Sequence, residues 1–220
     1  MSFGLSRGRP LEPGHAGLTW ADLPTEPGVR IGPIYFFQLH RPEQPFDLEI
    51  GSGKGTFLLQ QSSLEPETNF LGVEHAGEFF RYAADRVRRA GRPNVRLLYG
   101  DAVELVTHRL EDSCVRGLHI YFSDPWPKAR HHKRRVIQDA SLLQFHRVLQ
   151  PQGRVFLVTD HDELWHWYEA AAARHADRFA RLDFNPPDSA RPGEMVGSNF
   201  ERKYAREGRQ IRGMTLLRRG

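Results

Sequence analysis

Acids recur in this sequence at places where a bound molecule could meet them. The first stands in Glu49-Ile-Gly51-Ser-Gly53-Lys-Gly55, where closely spaced glycines let a backbone take positive φ and approach a ligand. A dinucleotide fingerprint needs its third glycine at residue 56, which is Thr. A phosphate loop needs glycine where Leu48 stands and Ser or Thr where Gly55 stands, so both nucleotide readings fail. Glu74 follows Gly51 by 23 residues, a distance at which an acid can accept hydrogen bonds from ribose hydroxyls. Asp101 lies in Tyr99-Gly-Asp-Ala102, Asp124 in Tyr121-Phe-Ser-Asp-Pro-Trp-Pro-Lys128, and Asp160 follows Thr159. A glycine turn can be purely structural, and Asp101 before a helix could be an N-cap. Capping alone does not explain acids in register after successive strands.

The turn at Asp124 is followed by Lys128, Arg130, Lys133, Arg134 and Arg135. Prolines on either side of Trp126 predict a stiff, extended turn able to hold Asp124 in place. The cations that follow suit a polyanion, although some could brace the next helix. Net charge is +4, compatible with such a partner but too small to demand one. His131 and His132 are adjacent, and His161 and His166 have no companion ligands, so no metal site is expected. A single cysteine, Cys114, excludes an intrachain disulfide and fits a reducing, cytoplasmic setting. No apolar run approaches the roughly 20 residues of a membrane span, and no membrane association is expected.

The elements that must position these residues alternate. Strands are predicted near 46–50, 69–74, 95–99, 118–122, 154–158, 178–184 and 210–217. Helices are predicted near 57–63, 102–110, 134–149 and 164–176, with another after the second strand that carries Phe79, Phe80, Ala83 and Val87 at helical spacing. This β-α-β order predicts an α/β fold with a mostly parallel sheet of seven strands and helices on both faces. In such sheets ligands bind beyond the carboxyl ends of the strands, where the acids stand. Residues 1–45, punctuated by seven prolines, are read as an extended arm, and residues 46–220 as the domain proper.

The pattern Glu-x-Gly-x-Gly-x-Gly resembles the first motif of class I methyltransferases that bind S-adenosylmethionine. Asp124-Pro-Trp-Pro-Lys128 followed by Arg130-His-His-Lys-Arg-Arg135 resembles the signature of the bacterial tRNA (guanine-N7-)-methyltransferases, a likeness that extends over residues 46–217. The resemblance implies a class I, Rossmann-like fold and methylation of a variable-loop guanine in tRNA. It implies that Glu49, Gly51, Gly53, Glu74, Asp101, Ala102 and Asp124 surround S-adenosylmethionine, with Asp124 at the chemistry. Lys128, Asp160, Ser198, Asn199, Phe200 and Glu201 would meet the tRNA. No protein partner is required on this reading, and the chain could act as a monomer or homodimer. Ser198 stands where the family has Thr, and Ala129 where a further Lys is common.

Guanine N7 carries an in-plane lone pair and no proton, so no general base is needed. Alignment and tolerance of positive charge are what such an enzyme must supply. Asp124, Asp160 or Glu201 could serve the charge or read the base, and the sequence leaves their roles open. Two other readings stand beside this one: the same cofactor with a non-RNA substrate, and a non-catalytic tRNA-binding module. The basic segment argues against the first, and retention of Glu49, Glu74, Asp101 and Asp124 against the second.

Overall fold

The structure is a computed structural model that describes residues 10–26, 28–37 and 41–220. Its centre is a run of parallel strands: β2 (Phe46–Ile50), β3 (Asn69–Glu74), β4 (Val95–Tyr99), β5 (Val115–Tyr121) and β6 (Leu149–Thr159). Every residue of β2 and β3 is buried, as expected where helices cover both faces. These helices are α2 (Thr56–Leu64), α3 (Gly77–Arg89), α4 (Ala102–His108), α5 (Asp139–Val148) and α6 (Asp162–Arg174). α3 turns Phe80, Ala83, Ala84 and Val87 inward at helical spacing, and α6 does the same with Leu164, Tyr168 and Ala171.

With β1 (Gly17–Thr19), β7 (Phe179–Asp183) and β8 (Arg212–Arg218), the sheet has eight strands rather than the expected seven, in the order β1-β4-β3-β2-β5-β6-β8-β7. The additional strand is β1, which pairs in parallel with β4 at the sheet edge. It comes from the proline-rich N-terminal stretch. Pro13 and Pro24 leave room between them for a three-residue strand, and an edge position tolerates the neighbouring prolines. The same stretch forms α1 (Pro33–Phe37) and buries Ala16, Leu23, Ile31, Phe36 and Phe37. At the other edge β8 is antiparallel to both β6 and β7.

The order of strands reverses at β2, which has β3 and then β4 on one side and β5 and then β6 on the other, all parallel. Residues following the carboxyl ends of these strands therefore face one crevice. The helix expected over 134–149 starts later, at Asp139, because residues 129–134 form a 3-10 turn and Arg135 is extended. There the Gln138 amide donates to Ser141 Oγ (2.9 Å), fixing the helix start.

Candidate active site

The glycine turn after β2 has the conformation its composition demands. Gly51, Gly53 and Gly55 take φ of 77°, 52° and 65°, values that carry strain for any residue with a Cβ. Glu74, at the end of β3, holds this turn: its Oε2 accepts from Gly53 N (2.8 Å) and its Oε1 from Ala76 N (2.8 Å). Each oxygen keeps a lone pair for a further donor. Glu49 is buried beside it, and its Oε2 has no hydrogen-bond partner among the described residues. Burial, and then repulsion from Glu74, push the Glu49 carboxyl well above the usual carboxylate range. Asp101 does cap α4, its Oδ1 accepting from Val103 N (2.7 Å) and Glu104 N (3.1 Å). A ligand at this point would meet the other oxygen. Ala102 is buried as the first residue of that helix.

Asp124 is exposed just beyond β5, between Phe122 (φ 53°) and Trp126 (φ 44°). The turn is not extended as expected, since Trp126 occupies the left-handed region. Such a conformation costs a bulky residue about 1–3 kcal/mol and needs outside support. Arg135 is placed to give it: only 3% exposed, it donates from Nε to Pro125 O (2.8 Å) and from Nη2 to Glu163 (2.6 Å). Its guanidinium lies 4.7 Å from the Trp167 ring centroid. Arg135 is thus structural, whereas Lys128, Arg130, Lys133 and Arg134 face solvent, Arg134 lying 5.0 Å from the Trp126 ring centroid.

The late segment forms α7 (Asn199–Arg206), which closes over the glycine turn. Ser198 caps it, its Oγ accepting from Glu201 N (3.1 Å), and Asn199 Nδ2 donates to Thr56 Oγ1 (3.1 Å) at the start of α2. Phe200 lies against the turn, so that a Cβ at Gly53 would sit 3.5 Å from its ring. One cleft results, lined by Glu49, Gly51, Phe57, Tyr121, Phe122 and the stretch 198–200, among others. Glu201 points elsewhere. It is 2% exposed, and its carboxylate accepts from the backbone of Met195, Val196 (2.9 Å) and Gly197 (2.8 Å). Those bonds make it a clasp for the segment before α7. Asp160, beyond β6, is paired with Arg209 (2.7 Å), and neither it nor Asp124 or Lys128 is among the residues that line the cleft.

One buried relay escaped sequence reasoning. Asp47 accepts from Arg116 (2.8 Å) and pairs with His119 Nε2 (3.0 Å), whose Nδ1 meets the Tyr121 hydroxyl at 2.8 Å. Burial alone would raise the Asp47 pKa, but the bonds from His119 and Arg116 outweigh it and hold the carboxylate below its usual range. Tyr121 closes the cleft floor, its hydroxyl pushed well up by burial and by Glu49. Alternation is the signal that could have found it: Asp47 and Glu49 on β2 share a sheet face with His119 and Tyr121 on β5. Among the described residues no three His, Cys, Asp or Glu side chains gather to hold a metal, and no helix is long and apolar enough to cross a membrane.

A family model described as a putative methyltransferase matches residues 43–214. The tRNA (guanine-N(7)-)-methyltransferase of Nitrosococcus oceani is 33% identical over 180 residues, which cover 82% of this chain and 74% of that protein. Its counterpart in Halorhodospira halophila is 37% identical over 170 residues, covering 76% and 72%. The Rhodopirellula baltica protein of the same name is 42% identical over 123 residues, 54% of this chain, and the match spans 45% of that relative's length. Among solved structures, the aminoglycoside resistance methyltransferase NpmB1 superposes with a TM-score of 0.57 at 14% identity, covering 80% of this chain and 87% of that one. The 16S rRNA methyltransferase KamB also gives 0.57, at 16% identity, covering 80% and 89%. At these identities the structural likeness is one of fold, and the fold is that of class I methyltransferases. With matches of this extent in sequence, the chain belongs to the tRNA (guanine-N(7)-)-methyltransferase family.

Proposed function

We propose that this protein transfers a methyl group from S-adenosylmethionine to N7 of a variable-loop guanine in tRNA. The observation that carries the reading is the convergence in one cleft of the glycine turn, buried Glu49 and the 198–200 stretch, in a chain of this family. The donor, when bound, supplies a methyl group activated by a sulfonium centre. The cleft suits such a molecule. Glu49 offers a buried, unpartnered oxygen to a cationic ligand, and Glu74 has lone pairs left for ribose hydroxyls. Gly51, Gly53, Asp101 and Ala102 complete the cofactor side. Phe200 lies over the turn, and Asn199 ties α7 to the start of α2.

Asp124 is the residue assigned to the methyl-bearing end. Its charge favours a purine that becomes cationic on methylation, a contribution made in the transition state rather than the ground state. Lys128, Asp160 and Ser198 are assigned to the RNA side, with Glu201 acting through the clasp it makes. N7 has no proton, so no residue is assigned as a base.

Incubating bulk tRNA with methyl-labelled donor and mapping the product tests the reading directly. 7-Methylguanosine at one position is the expected result. Label in another nucleoside, in protein or nowhere would overturn it. In the same assay Asp124→Asn should slow methyl transfer strongly with little loss of tRNA binding. Single-turnover rate should stay flat through the range where a histidine titrates, and a steep rise there would point to proton removal.

A further inference from the structure

Behind two aromatic residues of the cleft, Phe122 and Phe200, a guanidinium group is held as a ligand would be. Arg209 donates from Nη1 to Asp160 Oδ2 (2.7 Å) and forms an ion pair through Nη2 with Glu207 Oε2 (2.8 Å). Its Cζ lies 4.4 Å from the centroid of the Tyr204 ring. Tyr204 in turn packs beside Phe200 (6.2 Å, 27° between planes) and Phe122 (5.9 Å), both residues of the cleft. Its hydroxyl lies in the field of Asp160 and of Asp124. Two carboxylates thus meet the edge of a planar cation and an aromatic ring meets its face. The Asp160 carboxylate is only 9% exposed, whereas Arg209 is 45% exposed and readily exchanged with water.

Guanine carries the same chemical group. Its N1–H, C2 and N2–H₂ form a guanidine unit set in a ring, with donors along one edge and a flat face to stack. We infer that Asp160, Glu207 and Tyr204 form the subsite that reads the target guanine, and that Arg209 is a built-in stand-in which the base displaces. The inference rests on the proposed guanine substrate and adds Tyr204, Glu207 and Arg209 to its recognition. Adenine would turn its unprotonated N1 toward the carboxylates and be rejected by lone-pair repulsion. The cradle also suits a cation better than a neutral base. Methylation at N7 turns guanine into one, so the subsite is more complementary to the product-like transition state than to the substrate.

Removing the stand-in leaves a vacancy that a free guanidinium should refill. Equilibrium dialysis of labelled methylguanidinium against the full-length chain measures this with no RNA present. R209A should bind it saturably, and wild type, R209A/Y204L and R209A/D160N should not. In single-turnover methylation of tRNA, methylguanidinium should raise the half-saturating tRNA concentration of R209A several-fold at unchanged maximal rate. Equal sodium chloride should not do so, and wild type should respond alike to both salts. The inference is overturned if R209A binds no more methylguanidinium than wild type. It is also overturned if R209A merely weakens tRNA binding and flattens its salt dependence, the mark of a phosphate contact. Failure of wild type to make 7-methylguanosine would sink the substrate reading instead, and the dialysis result would stand apart from it.

Discussion

Glu49 is a carboxyl group deprived of water and set near another acid, with one oxygen left unpartnered. Its pKa in the folded protein lies above that in the unfolded chain, so between the two values the native state holds the extra proton. Stability should therefore fall as pH rises through that window. Glu49→Gln, which keeps the shape and removes the proton, should flatten this part of the pH–stability curve in thermal melts. A cationic ligand reverses the preference, because its charge favours the carboxylate. Binding of S-adenosylmethionine should accordingly release protons in calorimetry across buffers of different ionisation enthalpy, and E49Q should release none through this group. Identical heats for both proteins would show that the ligand's cation lies elsewhere. The basic run divides in the same residue-by-residue way. Arg134→Ala should reduce the slope of log affinity against log salt by up to about 0.7–0.9, one phosphate's worth. Arg135→Ala should lower the melting temperature and leave that slope alone, since its donors serve Pro125 and Glu163.

α7 and the segment leading into it depend on one side chain. Glu201 satisfies the amides of Met195, Val196 and Gly197, and each amide left unpaired in a buried setting costs about 1–3 kcal/mol. Glu201→Ala should release residues 190–206 before the rest of the domain. Faster hydrogen exchange confined to that stretch, with the sheet still protected, is the expected signature; uniform exchange would contradict it. What sequence reading could reach follows from the range of the forces involved. The glycine turn and the acids at or just beyond the ends of β2, β3, β4, β5 and β6 were legible because they are set by local alternation and spacing. Glu201's clasp was not, because an acid after a Ser-Asn-Phe stretch looks the same whether it faces a ligand or three amides. Nor was Arg135's burial, since neighbouring arginines differ only in which of them the following turn carries inward. Trp126's left-handed backbone was likewise hidden, because prolines announce a turn without giving its hand.

The whole molecule depends on its proline-rich beginning more than composition suggests. Phe36 and Phe37 are 3% and 0% exposed, and burying a phenylalanine contributes about 1.5–3 kcal/mol. β1 also covers the edge of β4 that would otherwise offer unpaired backbone groups. Deleting residues 1–37 should therefore lower the melting temperature sharply and promote aggregation. A truncated chain that melts like the full one would show the segment to be a mere appendage. The far edge of the sheet imposes an order on assembly. β8 follows β7 in the chain yet lies between β7 and β6, so neither neighbour can complete its pairing until residues 212–218 have been added. Until then Val155, Leu157 and the strand beneath Asp160 have an open backbone flank, liable to pair with another molecule. The part of the sheet edge that carries Asp160 is therefore completed late, and a nascent chain should acquire its glycine turn well before the side of the site assigned to RNA.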